Sequence, residues 1–148
     1  MTHAQILQPV VALAAWTMLV WIWLYATRLP AMQRAKIDAV NMVGTTGTSL
    51  RDVLAANGEA NVSWVADNYN HLHEAPTVFY AVALVLALIG WGDGMNAQIA
   101  WAYVALRVVH SLCQILWNRV MVRFAIFVLS SLALMALVLH ATIAVFAH

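Results

Sequence analysis

Hydrophobic positions gather into four long blocks, and each is long enough to cross a bilayer, which takes about 20 mostly apolar residues. The blocks run from Ile6 to Thr27, Trp64 to Ile89, Ala97 to Trp117 and Phe124 to Phe146. They predict an all-α integral membrane protein, a four-transmembrane-helix bundle forming one domain. Pro9 falls in the first turn of the first span, where its missing N–H does little harm. Trp21, Trp23 and Tyr25 near the end of that span suit an interfacial aromatic belt, and Trp16 suits packing. The one long connection, 28–63, contains a Gly-Thr-Thr-Gly-Thr turn at Gly44 to Thr48. Within it Ser49-Leu50-Arg51-Asp52 resembles a capping box that opens a short helix, and Asn57-Gly58 supplies a stop. The second connection, Gly90 to Asn96, and the third, Asn118 to Arg123, are short.

Two polar interruptions break the apolar pattern inside the spans. The first, Asp67-Asn68-Tyr69-Asn70-His71-Leu72-His73-Glu74-Ala75-Pro76, opens the second span. Spacings of three and four put Asp67, Asn70, His71 and Glu74 on one helix face. The second lies in the third span, where Tyr103, Arg107, His110 and Gln114 repeat at four, three and four as one stripe. Polar groups in lipid cost several kcal/mol unless partners meet them, and an arginine cannot shed its charge. Measured from the outer turn at about 1.5 Å per residue, Glu74 lies roughly 24 Å deep, His110 roughly 20 Å and Arg107 roughly 16 Å. Antiparallel neighbours at those depths bring the two stripes together.

Composition agrees with a membrane setting. Of 148 residues 64% are hydrophobic and 9% charged, against roughly 25% charged in a soluble domain. The net charge of +1 and the lack of a basic cluster argue against nucleic acid. Cys113 is the single cysteine, so no intrachain disulfide forms. Because the first 25 residues lack a basic leader segment and carry a long apolar run, they read as a retained helix. Six of the seven Lys and Arg residues lie in the first and third connections. The positive-inside rule puts those connections in the cytoplasm and both termini outside.

The polar residues admit a structural reading as well as a functional one. Glu74 and Arg107 are candidates for a buried ion pair that fixes helix packing or an oligomer interface, in a scaffold subunit of a larger membrane complex. Carriage of protons or metal through the polar belt is a weaker idea. His71 and His73 point to different faces and no His-x-x-x-His pair exists, which disfavours metal ligation. Cys113 reads as apolar filler, and His140 has no visible partner.

Asn70-His71-Leu72-His73-Glu74-Ala75-Pro76-Thr77-Val78-Phe79-Tyr80, Arg107-Val108-Val109-His110-Ser111, and Asn118-Arg119-Val120-Met121-Val122-Arg123-Phe124 together resemble the MAPEG family, over essentially the whole chain. These are the membrane-associated proteins of eicosanoid and glutathione metabolism, and the chain looks most like their bacterial branch. The resemblance implies a homotrimer in the bacterial inner membrane, with glutathione as cosubstrate in sites at protomer boundaries facing the cytoplasm. It implies conjugation of the thiol to lipophilic electrophiles, or their reduction. Asn70, His71, Glu74, Tyr103, Arg107, His110 and Gln114 are the substrate-binding residues this suggests, with Arg123 stabilising the thiolate. Glutathione carries two carboxylates and an ammonium, which suit Arg107, Arg123 and Glu74. The chain departs from the family pattern at four places, the first being that no arginine precedes the asparagine on the second span. Asn70 stands four residues before Glu74 while His71 takes the position expected for asparagine, Gln114 replaces a tyrosine, and Phe124 and Phe127 stand where hydroxyls are found.

Overall fold

The computed structural model describes residues 4–38, 40–41, 44 and 47–147. Six helices and no strand occur among the described residues: α1 (Leu7–Arg34), α2 (Gly47–Ala56), α3 (Val62–His71), α4 (Ala75–Leu88), α5 (Met95–Leu116) and α6 (Val120–Phe146). Four segments are long and apolar enough to cross a membrane, namely α1, α3 with α4, α5, and α6. The buried faces show why they bundle. Leu13, Thr17, Val20 and Leu24 on α1 repeat at four, three and four, as do Ser130, Leu134, Leu137 and Ala141 on α6. Pro76, Phe79, Ala83 and Leu86 on α4 repeat at three, four and three. Such spacing interlocks side chains along helices crossing at a shallow angle. Small residues let the backbones approach, which matters in lipid, where no hydrophobic force drives helices together. Apolar side chains left outward, such as Leu132, Met135 and Leu139 on α6, are exposed on the surface of the bundle, as a lipid surrounding allows. Hydroxyls within spans bond back to their own helix, as Thr17 Oγ1 does to the Leu13 carbonyl at 2.9 Å.

Three features differ from the sequence expectation. The second span is not one helix: α3 ends at His71 and α4 starts at Ala75, with Glu74 at φ −94°, ψ −101°. Pro76 accounts for the break, since it has no N–H to offer the Leu72 carbonyl and its ring crowds that oxygen. The first span extends past Thr27 and through Pro30 to Arg34. Finally, α6 starts at Val120, so Arg123 belongs to its first turn and not to a connection.

In the long connection α2 begins at Gly47, which places Ser49 inside the helix and not at its cap, and the chain leaves it at Gly58 with φ +78°. Of the turn expected at Gly44 to Thr48, Thr45 and Thr46 lie outside the described residues. Leu54 of α2 packs with Ala31 and Val62 in a small second core. Ion pairs Arg51–Asp67 and Arg34–Glu59 fasten the connection to α3 and α1. At the opposite end the start of the chain docks on the α4–α5 turn. Ile6 N–H donates to the Gly92 carbonyl at 2.8 Å and Gln5 N–H to Asp93 Oδ1 at 2.7 Å. A Cβ on Gly92 would lie 2.8 Å from both Ala4 Cβ and Ile6 Cγ2, so the close approach requires glycine.

Candidate functional site

The break between α3 and α4 decides what the site is made of. It turns His71 and Glu74 toward α5 and α6 at a cavity of about 320 Å³. From α5 come Arg107 and His110, and from the first turns of α6 come Val120, Arg123, Phe124 and Phe127. One wall thus carries guanidinium donors, another a carboxylate and an imidazole, and the aromatic rings form an apolar rim.

Arg107 is 3% exposed, and its guanidinium lies 5.7 Å from the Tyr103 ring centre and 5.9 Å from that of Phe127. Aromatic faces attract such a cation. Its only hydrogen bond among the described residues is a long one, 3.5 Å, from Nη2 to the His71 carbonyl, and Nε has no partner. The ion pairs among the described residues are Arg34–Glu59 and Arg51–Asp67, so Glu74 does not neutralise Arg107. Within the chain, then, Glu74 and Arg107 form no ion pair that would fix helix packing.

Arg123 is aimed by the α5–α6 corner. Asn118 takes a left-handed conformation, φ 48°, that ends α5, and its N–H donates to the Cys113 carbonyl at 2.7 Å. Its side-chain oxygen then accepts from Arg123 Nη1. Arg123 Nε is buried without a partner.

The remaining candidates divide. Tyr103 is fully buried behind Arg107, stacked on Phe79 at 4.7 Å, and does not line the cavity. Gln114 is buried below it, where its Oε1 meets His71 Nδ1 at 3.0 Å and Asn68 Nδ2 at 3.1 Å. Asn70 is exposed and outside the cavity lining. Asp67 pairs with Arg51 of α2. His73 bonds the Tyr69 carbonyl at 2.8 Å and lies away from the cavity lining. Asn68, not among the residues that the polar stripes single out, is completely buried. Its signal was available: Val65, Asn68 and Leu72 share the three-and-four rhythm of the buried face. His140 also acquires a partner, since its Nδ1 meets Asn96 Oδ1 at 2.6 Å while Asn96 Nδ2 donates to the Trp91 carbonyl at 2.8 Å.

Comparison with curated proteins and with solved structures found no match. The model of one family, described as the MAPEG family, matches residues 6–143, a stretch that takes in the whole cavity lining and every span but for the last turn of α6. The chain belongs to the MAPEG family.

Proposed function

We propose that the protein binds glutathione, or a closely similar anionic thiol, in the cavity between the α3–α4 break and the first turns of α6, and presents the thiolate to lipophilic electrophiles. The observation that supports this most directly is Arg107, a permanent cation 3% exposed with no carboxylate within reach among the described residues. A buried cation without a counter-ion costs several kcal/mol, and a ligand carboxylate is the group that offsets it with paired, charge-assisted bonds. Arg123 contributes a second cation, whose nearness favours a thiolate over a thiol. Glu74 offers an acceptor for the ligand's ammonium. A cavity of about 320 Å³ falls at the lower end of small-molecule sites, roughly 300–1,000 Å³.

An apolar groove supports a lipophilic second substrate. It is lined by Val78 of α4 and by Ser131, Leu134, Met135, Val138, Leu139 and Thr142 of α6. Val78 and Ser131 stand one helical turn beyond Glu74 and Phe127 of the cavity, so an electrophile in the bilayer has a path along those helices. In conjugation, the thiolate sulfur attacks an electrophilic carbon, a C–S bond forms, and the leaving group departs with its electron pair. With a hydroperoxide, two thiols give a disulfide while the peroxide becomes an alcohol and water. The working unit in this reading is a homotrimer in a bacterial inner membrane, with both termini on the periplasmic side. Calorimetry of glutathione binding in detergent, with turnover of an aryl halide and a lipid hydroperoxide, tests the proposal. Absence of both binding and turnover sinks it, and stoichiometric partners retained in mild detergent would favour a scaffold subunit.

A further inference from the structure

Asn68, Gln114 and His71 form a chain whose hydrogen positions follow from the way the two amides face, with Asn68 Oδ1 left unpartnered. Gln114 Oε1 accepts from Asn68 Nδ2 at 3.1 Å and faces His71 Nδ1 at 3.0 Å. An amide oxygen has lone pairs and no hydrogen, so the facing ring nitrogen must be the donor. Nδ1 therefore carries the proton, and in the neutral ring Nε2 holds a lone pair. Asn68 is completely buried and Gln114 is 1% exposed, so neither turns away to water. His71 lines the cavity, and its Nε2 has no partner among the described residues.

We propose that Asn68 and Gln114 lock His71 in its Nδ1–H tautomer, and that Nε2 together with Glu74 receives the ammonium of a zwitterionic ligand. The inference rests on the glutathione-type reading above and deepens it. An ammonium has three donors to satisfy. The two Glu74 carboxylate oxygens and His71 Nε2 supply three acceptors from residues three apart in the chain, on the wall formed by the α3–α4 break. The lining from α5 and α6 presents Arg107 and Arg123, which donate only and repel a cation. That polarity orients the ligand, its carboxylates on the guanidiniums and its amino end at the break. His71 is thus a specificity-determining residue, and Asn68 and Gln114 position it.

The experiment uses the full chain in detergent micelles, labelled with ¹⁵N-histidine, and two probes: glutathione and its analogue with the amino group replaced by hydrogen. Ring ¹⁵N shifts, assigned by the signal lost in His71→Leu, are expected to show a protonated Nδ1 in the wild type and a tautomer mixture in Gln114→Leu. In calorimetry the wild type should prefer glutathione over the analogue. His71→Leu and Gln114→Leu should each weaken glutathione by about tenfold or more, leave the analogue within about threefold, and so erase part of that preference. Gln114→Glu, which keeps an acceptor oxygen, should retain the Nδ1–H form and the preference. An Nε2–H ring in the wild type, with the two amides turned the other way, overturns the proposal, as does equal weakening of both probes, the mark of a purely structural role. If neither probe binds the wild type, the ammonium assignment falls with the glutathione reading, while a protonated Nδ1 would still uphold the tautomer lock.

Discussion

Replacing Arg107 by methionine separates a binding site from a packing contact, because the two readings predict opposite effects on the empty protein. The guanidinium is 3% exposed and reaches the His71 carbonyl only at 3.5 Å, and its remaining visible support comes from the Tyr103 and Phe127 rings. Contacts of that kind return about 0.5–2 kcal/mol each, against several kcal/mol for burying an unpaired ion. Without ligand, then, the arginine adds nothing net to stability, and Arg107→Met, of similar length, should leave the apparent Tm unchanged or raise it. Ligand binding should respond in the other direction. Two charge-assisted bonds to a carboxylate, at about 1.5–3 kcal/mol each, amount to about 3 kcal/mol or more, a loss of at least about a hundredfold in affinity. Thermal unfolding in detergent with and without glutathione reads both effects. A ligand at a hundred times its Kd stabilises the wild type by about 2.7 kcal/mol, and the variant should show none of that gain. The reasoning fails if Arg107→Met costs the empty protein more than about 2 kcal/mol, dissociates the oligomer, or keeps glutathione affinity within about threefold.

Asn118→Gly should keep stability, because glycine adopts the left-handed φ of 48° freely, yet lower glutathione affinity severalfold by releasing Arg123. Asn118→Ala should lose about 1–2 kcal/mol as well, and the contrast is visible by paired calorimetry and thermal unfolding. Gly92→Ala forces a Cβ to 2.8 Å from Ala4 and Ile6, and should cost about 1–3 kcal/mol in thermal unfolding without changing ligand affinity. The Arg34 bond to Glu59 at 2.6 Å holds the Glu59 carboxyl below the usual glutamate range. A carboxylate depressed in the fold stabilises it above its unfolded pKa of about 4.3, and that contribution fades as pH falls through the lower folded value. Hydrogen exchange in α2 should accelerate over that acid window in the wild type and not in Glu59→Gln.

The four spans were legible because twenty apolar residues in a row have few other uses. Their internal geometry was less so. A straight second helix puts Asp67, Asn70, His71 and Glu74 on one face, but the break after His71 sets Glu74 apart from the other three, which stay on α3 and meet different surroundings. Asp67 pairs with Arg51, Asn70 is exposed, and only His71 and Glu74 reach the cavity. Pro76 was in view, but its consequence for the three residues before it depends on tertiary packing. Two departures from the family pattern, His71 and Gln114, turn out to touch each other, which no single-position reading reveals. The partner of His140 was recoverable. Asn96 and His140 lie equally far along the chain from Asn118, the corner of the α5–α6 hairpin, so antiparallel pairing sets them side by side.

The break in the second span also explains how lipid tolerates a fixed charge on α5 without a carboxylate beside it. In an unbroken helix the His71 and Leu72 carbonyls would accept from the residues four ahead, but at Leu72 that residue is Pro76, which has nothing to donate. The amide of Glu74 reaches the His71 carbonyl only at 3.4 Å, and Arg107 approaches the same oxygen. The end of α3 is therefore a helix C-terminus with underused carbonyls and the negative end of its dipole turned to a guanidinium. A dipole and two aromatic faces steady the cation without cancelling its charge. Had Glu74 formed an ion pair with Arg107, only Arg123 of the two guanidiniums lining the cavity would be left to meet an anion. By putting Pro76 just past the break, the sequence steadies Arg107 in the bundle without giving it a carboxylate partner among the described residues.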